Sequence, residues 1–280
     1  MAGVTYVDLH THTTASDGLH APADNVRMAK AAGLTGIAIT DHDTVAGIEE
    51  ALEEGKRLGV IVVPGVEIST VLFGVDIHIL GYYIDHKDDV FLARLESLRK
   101  TRELRNDMLI AKLQELGVAI GMADVLRIAA SDKKQGETVG RPHIAQAMVE
   151  RGYVASVREA FDRYLGSGGA AYVNPPRIHP AEAIAWIREA GGKAVLAHPG
   201  IYGSDEWVEE IVSSGIDGIE VYHSDHTPAQ ELTYAKLAVQ HRLIVTAGSD
   251  FHGSRGGELF HGAIGNRRIE ANVLAQLQGK

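Results

Sequence analysis

The sequence predicts an α/β protein built on a closed barrel of about seven strands and interrupted by a helical insertion. Three observations carry this reading. Short β-rich apolar runs alternate with amphipathic helical stretches at both ends of the chain, which implies a parallel sheet. Between residues 90 and 177 the alternation stops and only helical periodicity remains. Acids and histidines gather just after the strands. A chain of 280 residues suits two ordinary domains or one barrel. An open doubly wound sheet is the rival architecture.

The elements follow in order. Val4 to Leu9 is short, apolar and ends in polar residues, as a buried strand does. Pro22 to Ala32 spaces Val26, Met28, Ala29 and Ala32 helically, with Pro in its first turn and Gly33 as the stop. Gly36 to Thr40 is a second strand, and Thr44 to Leu58 a second helix closed by Gly59. Val60 to Val66 and Asp76 to Tyr82 are further strands. Phe91 to Leu116 is one long helix, followed by helical stretches at 122–131, 141–150 and 155–164. The chain returns through Gly166-Ser167-Gly168-Gly169 and Pro175-Pro176, both boundary signals. The expected division is a barrel domain at 1–89 and 178–280 around a helical cap subdomain at 90–177. Alternation then resumes. Helices near 180–190, 205–214 and 228–241 precede strands at Lys193 to Ala197, Gly218 to Tyr222 and Leu243 to Ala247. A helix at 270–278 closes the chain.

Composition narrows the chemistry. No cysteine is present, which excludes disulfides, thiolate metal sites and a cysteine nucleophile. No apolar run approaches membrane-spanning length, and the N-terminus lacks a signal-peptide layout; the expectation is a soluble cytoplasmic protein. The formal charge of −10 speaks against a broad surface for long nucleic acid, though not against a local basic pocket. Fourteen histidines without cysteine point to metal bound by nitrogen and oxygen, or to acid–base chemistry.

Position sharpens this. His10, His12 and Asp17 follow the first strand, and Asp41, His42 and Asp43 the second. Glu67 follows the third, and His78 lies in the fourth. His198 ends the fifth, Glu220 and His223 end the sixth, and Asp250 and His252 follow the seventh. In a parallel barrel those strand ends share the face that carries the active site. Singly, each has an ordinary reading: a loop histidine, a helix cap or a solvent-facing acid. Together they converge on one rim. His20, His86, His179, His241 and His261 read as structural or solvated, and so does His226. Arg94, Arg99, Lys100, Arg102 and Arg105 on the long helix read as a solvated face paired with Glu96 and Glu103. The other reading makes them a wall that attracts an anion.

Seven motifs stand in this order: DLHTHTTASDG at 8–18, ITDHDT at 39–44, PGVEIS at 64–69, HILGYY at 78–83, GRPHIA at 140–145, AHPG at 197–200 and GSDFH at 248–252. The sequence resembles the polymerase-and-histidinol-phosphatase (PHP) superfamily of metal-dependent phosphoesterases. The resemblance implies a distorted (β/α)7 barrel and two to three divalent ions of manganese, iron or zinc. It implies one site of His10, His12, Glu67 and Asp250, a second of Glu67, His78 and His198 with Glu67 bridging, and a third of Asp17, His42 and His252. It further implies that Arg141 offers a planar fork to phosphate oxygens. His143 and His223 would bind phosphate or pass a proton to the leaving oxygen. The ordinary readings are an ion pair for Arg141, a helix cap for His143 and a barrel-rim residue for His223.

Within that superfamily the insertion and GRPHIA look most like the branch acting on small nucleotides. The leading expectation is hydrolysis of the 3′-phosphate of nucleoside 3′,5′-bisphosphates. The alternatives are a 5′→3′ exonuclease on short RNA or DNA, and a histidinol-phosphate phosphatase. From other classes come a non-catalytic metal-binding module, against which the complete ligand set argues, and an amidohydrolase-type deaminase. The last would place a lysine at a core strand end, and Lys193 stands at a strand start instead.

Overall fold

A computed structural model describes residues 3–130, 139–173, 175–255 and 257–279. The first half of the barrel runs β1 (Tyr6–Asp8), α1 (Pro22–Ala31), β2 (Gly36–Ile39), α2 (Ile48–Leu58), β3 (Ile61–Leu72) and β4 (Val75–Tyr82). The insertion carries α3 (Asp89–Glu115), α4 (Met122–Ala130), α5 (Arg141–Glu150), α6 (Val157–Ala160) and a π-helical turn at Phe161–Leu165. Residue 131, at the end of one expected helix, lies outside the described residues. The second half runs α7 (Pro180–Glu189), β5 (Lys193–Leu196), α8 (Asp205–Ser213), β6 (Gly218–His223), α9 (Pro228–His241) and β7 (Ile244–Gly248). It ends with the short strands β8 (Ser254–Arg255), β9 (Glu258–Leu259) and β10 (Ile269–Glu270) and with α10 (Val273–Leu277). Among the described residues, no helix is long and apolar enough to cross a membrane.

The main sheet has eight strands in the order β10-β1-β2-β3-β4-β5-β6-β7. It is nearly closed: the Leu9 N–H donates to the Ala247 carbonyl (3.0 Å) and the His12 N–H to that of Phe251 (2.9 Å). All seven expected strands are present, and the antiparallel β10 beside β1 is an addition. The all-parallel expectation fails at β4, which is antiparallel to both β3 and β5. The cause is local. Phe73 and Gly74 both adopt positive φ (50° and 80°), the two-residue turn whose twist suits a hairpin. β3 therefore continues to Leu72 and folds straight back.

Three apolar layers result. Val7, Leu9, Val63, Leu80, Tyr82 and Val195 fill the inside of the barrel with α10 beneath. Outside, Val66, Ile79, Leu196 and Ile219 pack against the surrounding helices, and Phe91, Leu95 and Leu98 of α3 belong to this same cluster. The farther end of α3 changes company: Leu109, Ile110 and Leu113 pack with Ile144 and Met148 of α5 and with Leu165. The expected boundary at residue 90 thus falls inside the barrel's packing.

Candidate active site

The strand ends bring the acids and imidazoles to one face. Barrel closure positions the first pair, since the Asp250 N–H donates to the His10 carbonyl (2.9 Å). Gly248 allows this approach: a Cβ there would lie 2.1 Å from His10 Cβ and 2.6 Å from Glu220 Oε1. Below, the buried Asp8 accepts from the N–H groups of Ser249 (3.0 Å) and Gly265 (2.8 Å). Burial outweighs these bonds and pushes its pKa up to about 6. His198, Asp250, Asp43 and His261 all hold positive φ, backbone conformations that cost energy for non-glycine residues and concentrate at functional sites.

Glu67 is the centre. Its Oε1 lies 2.8 Å from His78 Nδ1 and 3.0 Å from His198 Nε2. Its Oε2 lies 3.0 Å from His42 Nδ1, 3.2 Å from His12 Nε2 and 3.5 Å from His10 Nε2. Asp250 Oδ1 is 3.2 Å from His12 Nε2 and 3.3 Å from His10 Nε2. Asp17 meets His252 Nε2 at 3.3 Å and His42 Nε2 at 3.8 Å. All nine expected ligands therefore converge. Glu67 Oε2, Asp250 Oδ1, and the Nδ1 atoms of His42 and His78 are buried without a directed hydrogen bond. His10 Nε2 faces His12 Nε2 at 3.2 Å, so at least one of these nitrogens presents a lone pair. Lone pairs that converge without donors fit cations, and this nitrogen–oxygen set suits manganese, iron or zinc.

The crowding of acids and imidazoles also shifts their titration. Burial acts to raise the carboxyls of Glu67, Asp17 and Asp250, but the surrounding imidazoles prevail and hold all three well below the usual range. Burial opposes protonation of His12, yet Asp250 and Glu67 lift it to about 10. At His42 and His198 burial wins and lowers both to about 4.

Glu220, noted at the end of its strand but not assigned, braces the cluster. Both its oxygens lie 3.2 Å from His10 Nδ1, and Oε2 accepts from the His198 N–H (2.9 Å).

The three other expected site residues divide. Arg141 reaches a cavity of about 670 Å³ that also opens on Glu67, His198 and Asp250. There it pairs with Asp76 (2.8 Å) and donates to the Leu165 carbonyl (3.3 Å). His143 is not brought to that cavity; it is buried, and its Nδ1 accepts from the Gly140 N–H (3.1 Å) at the start of α5. His223 is also fully buried, with Nε2 3.2 Å from Asp250 Oδ2 and Nδ1 accepting from the Asp225 N–H (3.1 Å). The cavity is lined instead by His261, read from sequence as structural. Its Nδ1 bonds Asp225 and its Nε2 lies 3.4 Å from Asp250 Oδ2.

The solvated-face reading of α3 needs correction. Arg99 and Lys100 do pair with Glu96. Arg102 and Arg105 are buried because they lie on the side of α3 that faces the barrel rim. Arg102 holds Asp43 through Nη2 (2.7 Å) and Nε (3.1 Å). His86, His179 and His226 keep ordinary roles: His86 meets Glu49 (2.7 Å), His179 caps α7, and His226 Nε2 accepts from the Gly200 N–H (3.0 Å).

The PHP domain family matches residues 8–247. The chain is 38% identical over 252 residues to the 5′-3′ exoribonuclease Rnm of Salmonella typhimurium, covering 88% of this chain and 84% of the relative. It is 32% identical over 262 residues to a 3′,5′-nucleoside bisphosphate phosphatase of Chromobacterium violaceum, covering 91% and 90%. Among solved structures, a Bifidobacterium adolescentis protein assigned as a metal-dependent phosphoesterase aligns with a TM-score of 0.87 at 32% identity. That alignment covers 97% of this chain and 94% of the other.

Proposed function

Since the chain belongs to the PHP domain family and is a phosphoric ester hydrolase, we propose that it removes the 3′-phosphate from nucleoside 3′,5′-bisphosphates. The observation that carries this is one cavity with two chemistries. An acid–imidazole cluster lies on the barrel side, and arginines line the side contributed by the insertion. We assign His10, His12, Glu67 and Asp250 to one ion, Glu67, His78 and His198 to a second, and Asp17, His42 and His252 to a third. Bound divalent ions would supply Lewis-acid polarisation of the phosphoryl oxygens and a lowered pKa for the attacking water. In the reaction the water oxygen joins phosphorus, the bond from phosphorus to the 3′-oxygen breaks, and a proton ends on that oxygen. His223, with both nitrogens engaged, holds Asp250 in place. His261 is the imidazole that a leaving oxygen in the cavity can reach. His143 positions Arg141 by capping α5. We assign 90–177 to a cap over the site, rooted in the barrel through the near half of α3.

A second reading, removal of nucleotides from the 5′ end of short RNA, is favoured by the higher identity to a relative of that name. The manganese-loaded protein tests both. It is incubated with adenosine 3′,5′-bisphosphate, 3′-AMP, 5′-AMP, histidinol phosphate and 5′-phosphorylated short RNA, and the products are separated. We expect phosphate and 5′-AMP from the bisphosphate and little turnover of histidinol phosphate. Release of mononucleotides from RNA with an inert bisphosphate would select the second reading, and preference for histidinol phosphate would sink both.

Glu220 offers an independent check. Replacement by Gln keeps its shape but weakens its hold on His10 and His198. Lost partners of this kind typically cost roughly 10–100-fold in metal affinity. Titration of the apo-protein with manganese should show that loss; unchanged affinity would remove Glu220 from the site.

A further inference from the structure

One buried carboxylate beside the cluster belongs to none of the three ion sets. Asp41 follows β2, precedes His42 and is 1% exposed. Its side chain is spent on the turn that follows His12. Oδ1 accepts from the Thr13 N–H (2.8 Å) and the Ser16 hydroxyl (2.6 Å), and Oδ2 from the Thr13 hydroxyl (2.7 Å). Its backbone carbonyl accepts from the Glu67 N–H (3.1 Å). Asp41 thus joins the turn at 13–18 to the strand that carries Glu67.

The turn hangs on Thr13. The Thr13 carbonyl accepts from the N–H groups of Ser16 (3.1 Å) and Gly18 (3.0 Å), and its hydroxyl oxygen accepts from the Ala15 N–H (3.1 Å). Asp17 lies inside this turn. Packing leaves little slack. A Cβ on Gly18 would lie 2.5 Å from the His12 carbonyl oxygen, and one on Gly47 would lie 3.1 Å from both Asp41 Oδ2 and Thr13 Oγ1.

Ser16 carries the effect to an imidazole. Its hydroxyl has one proton, and that proton goes to Asp41. Towards His12 Nδ1, 3.4 Å away, the Ser16 oxygen is therefore an acceptor. Asp17 Oδ1, 3.8 Å from the same nitrogen, is an acceptor as well. Both keep a proton on His12 Nδ1 and leave Nε2 to present its lone pair beside Glu67 and Asp250 (3.2 Å each). Outer partners fix the tautomer and aim of metal-binding imidazoles in this way.

We infer that Asp41 is a positioning residue: through Thr13 and Ser16 it sets the place of Asp17 and the tautomer of His12. It thereby governs the two ions assigned to those ligands and leaves the ion of Glu67, His78 and His198 in place. This rests on the ion assignment above. A carboxylate is required because both oxygens must accept; asparagine would turn an N–H towards a donor.

The test uses the full-length protein and the variants Asp41→Asn and Ser16→Ala. Manganese titration of the apo-protein gives affinities, and NMR of the cadmium-loaded protein shows each bound ion as its own resonance. Asp41→Asn should weaken the two ions served by Asp17 and His12 by roughly 10–100-fold, and one cadmium resonance should remain. Ser16→Ala, which keeps the Thr13 anchor, should weaken one ion alone, by about 10-fold. In the metal-free protein, Asp41→Asn should speed hydrogen exchange of the Thr13 amide about 10-fold while the barrel strands exchange as before. Unchanged manganese affinity and an unchanged cadmium spectrum in Asp41→Asn overturn the proposal. An equal loss of all ions with faster exchange throughout the barrel also overturns it, since that marks a purely structural residue. Should Asp41→Asn not fold, Ser16→Ala decides, and unaltered affinity there overturns the inference. If the wild type binds no ion while Asp41→Asn still frees the Thr13 amide, Asp41 keeps its positioning role and the ion assignment fails.

Discussion

Glu67→Gln is expected to lower phosphate release on the order of 10³-fold, because one side chain serves two of the assigned ions. One Glu67 oxygen faces His78 and His198, and the other faces His42, His12 and His10. An amide of the same shape would put N–H groups where a cation needs lone pairs. The effect on stability should be small by comparison, since removing the carboxylate also removes its burial cost. Two measurements check this: phosphate release at saturating manganese, and metal content by elemental analysis beside a circular dichroism spectrum. We expect a folded protein with reduced metal content. A purified, active wild type free of transition metal would end the metal assignment itself.

The second large effect concerns stability. Arg102→Met leaves the Asp43 carboxylate buried with its strongest partner gone, and breaking such a pair costs about 3–5 kcal/mol. Burial alone would raise the Asp43 pKa; Arg102 and the Ser69 N–H hold it below the usual carboxylate value. At roughly 2–4 °C per kcal/mol for chains of this size, the melting temperature should fall by about 10 °C. The double variant with Asp43→Asn should recover much of the loss, because both charges then go. Asn also tolerates the positive φ of Asp43 (54°). A shift under about 2 °C for Arg102→Met would show that solvent reaches the pair.

Much of the barrel was legible because its signals are local. Strand-and-helix alternation, Pro at helix starts and Gly at helix ends located nearly every element. The α5 bounds match the expected 141–150, since Gly140, Arg141 and Pro142 announce its start. The reversal of β4 was legible in principle: only nine residues separate Val66 from Asp76, too few for the crossover that a parallel pair requires. The nine cluster residues were legible because their position after strands fixes the face. The arginines of α3 were misread because charge was weighed before register. Leu95, Leu98, Arg102, Arg105, Asn106, Leu109 and Leu113 lie at helical spacing on one buried side, so Arg102 and Arg105 occupy apolar register. His261 sits in a loop whose path no local pattern predicts.

The reversed β4 has a consequence for reach. It delivers the chain to the foot of the barrel, where the Tyr83 N–H donates to the Pro64 carbonyl (2.8 Å). α3 must climb from there, and its 27 residues make a rod of about 40 Å at 1.5 Å per residue. Its lower turns are wall, Arg102 is bolted to the rim at Asp43, and its upper turns carry the insertion like the jib of a crane. With the insertion as the cap proposed above, the headroom over the cluster is set by a count of helical turns. Adding or removing one turn above Arg102 would move the far end of the helix by about 5.4 Å, while the cluster below kept its geometry. Chain length in one helix becomes the gauge of how much substrate fits beneath it.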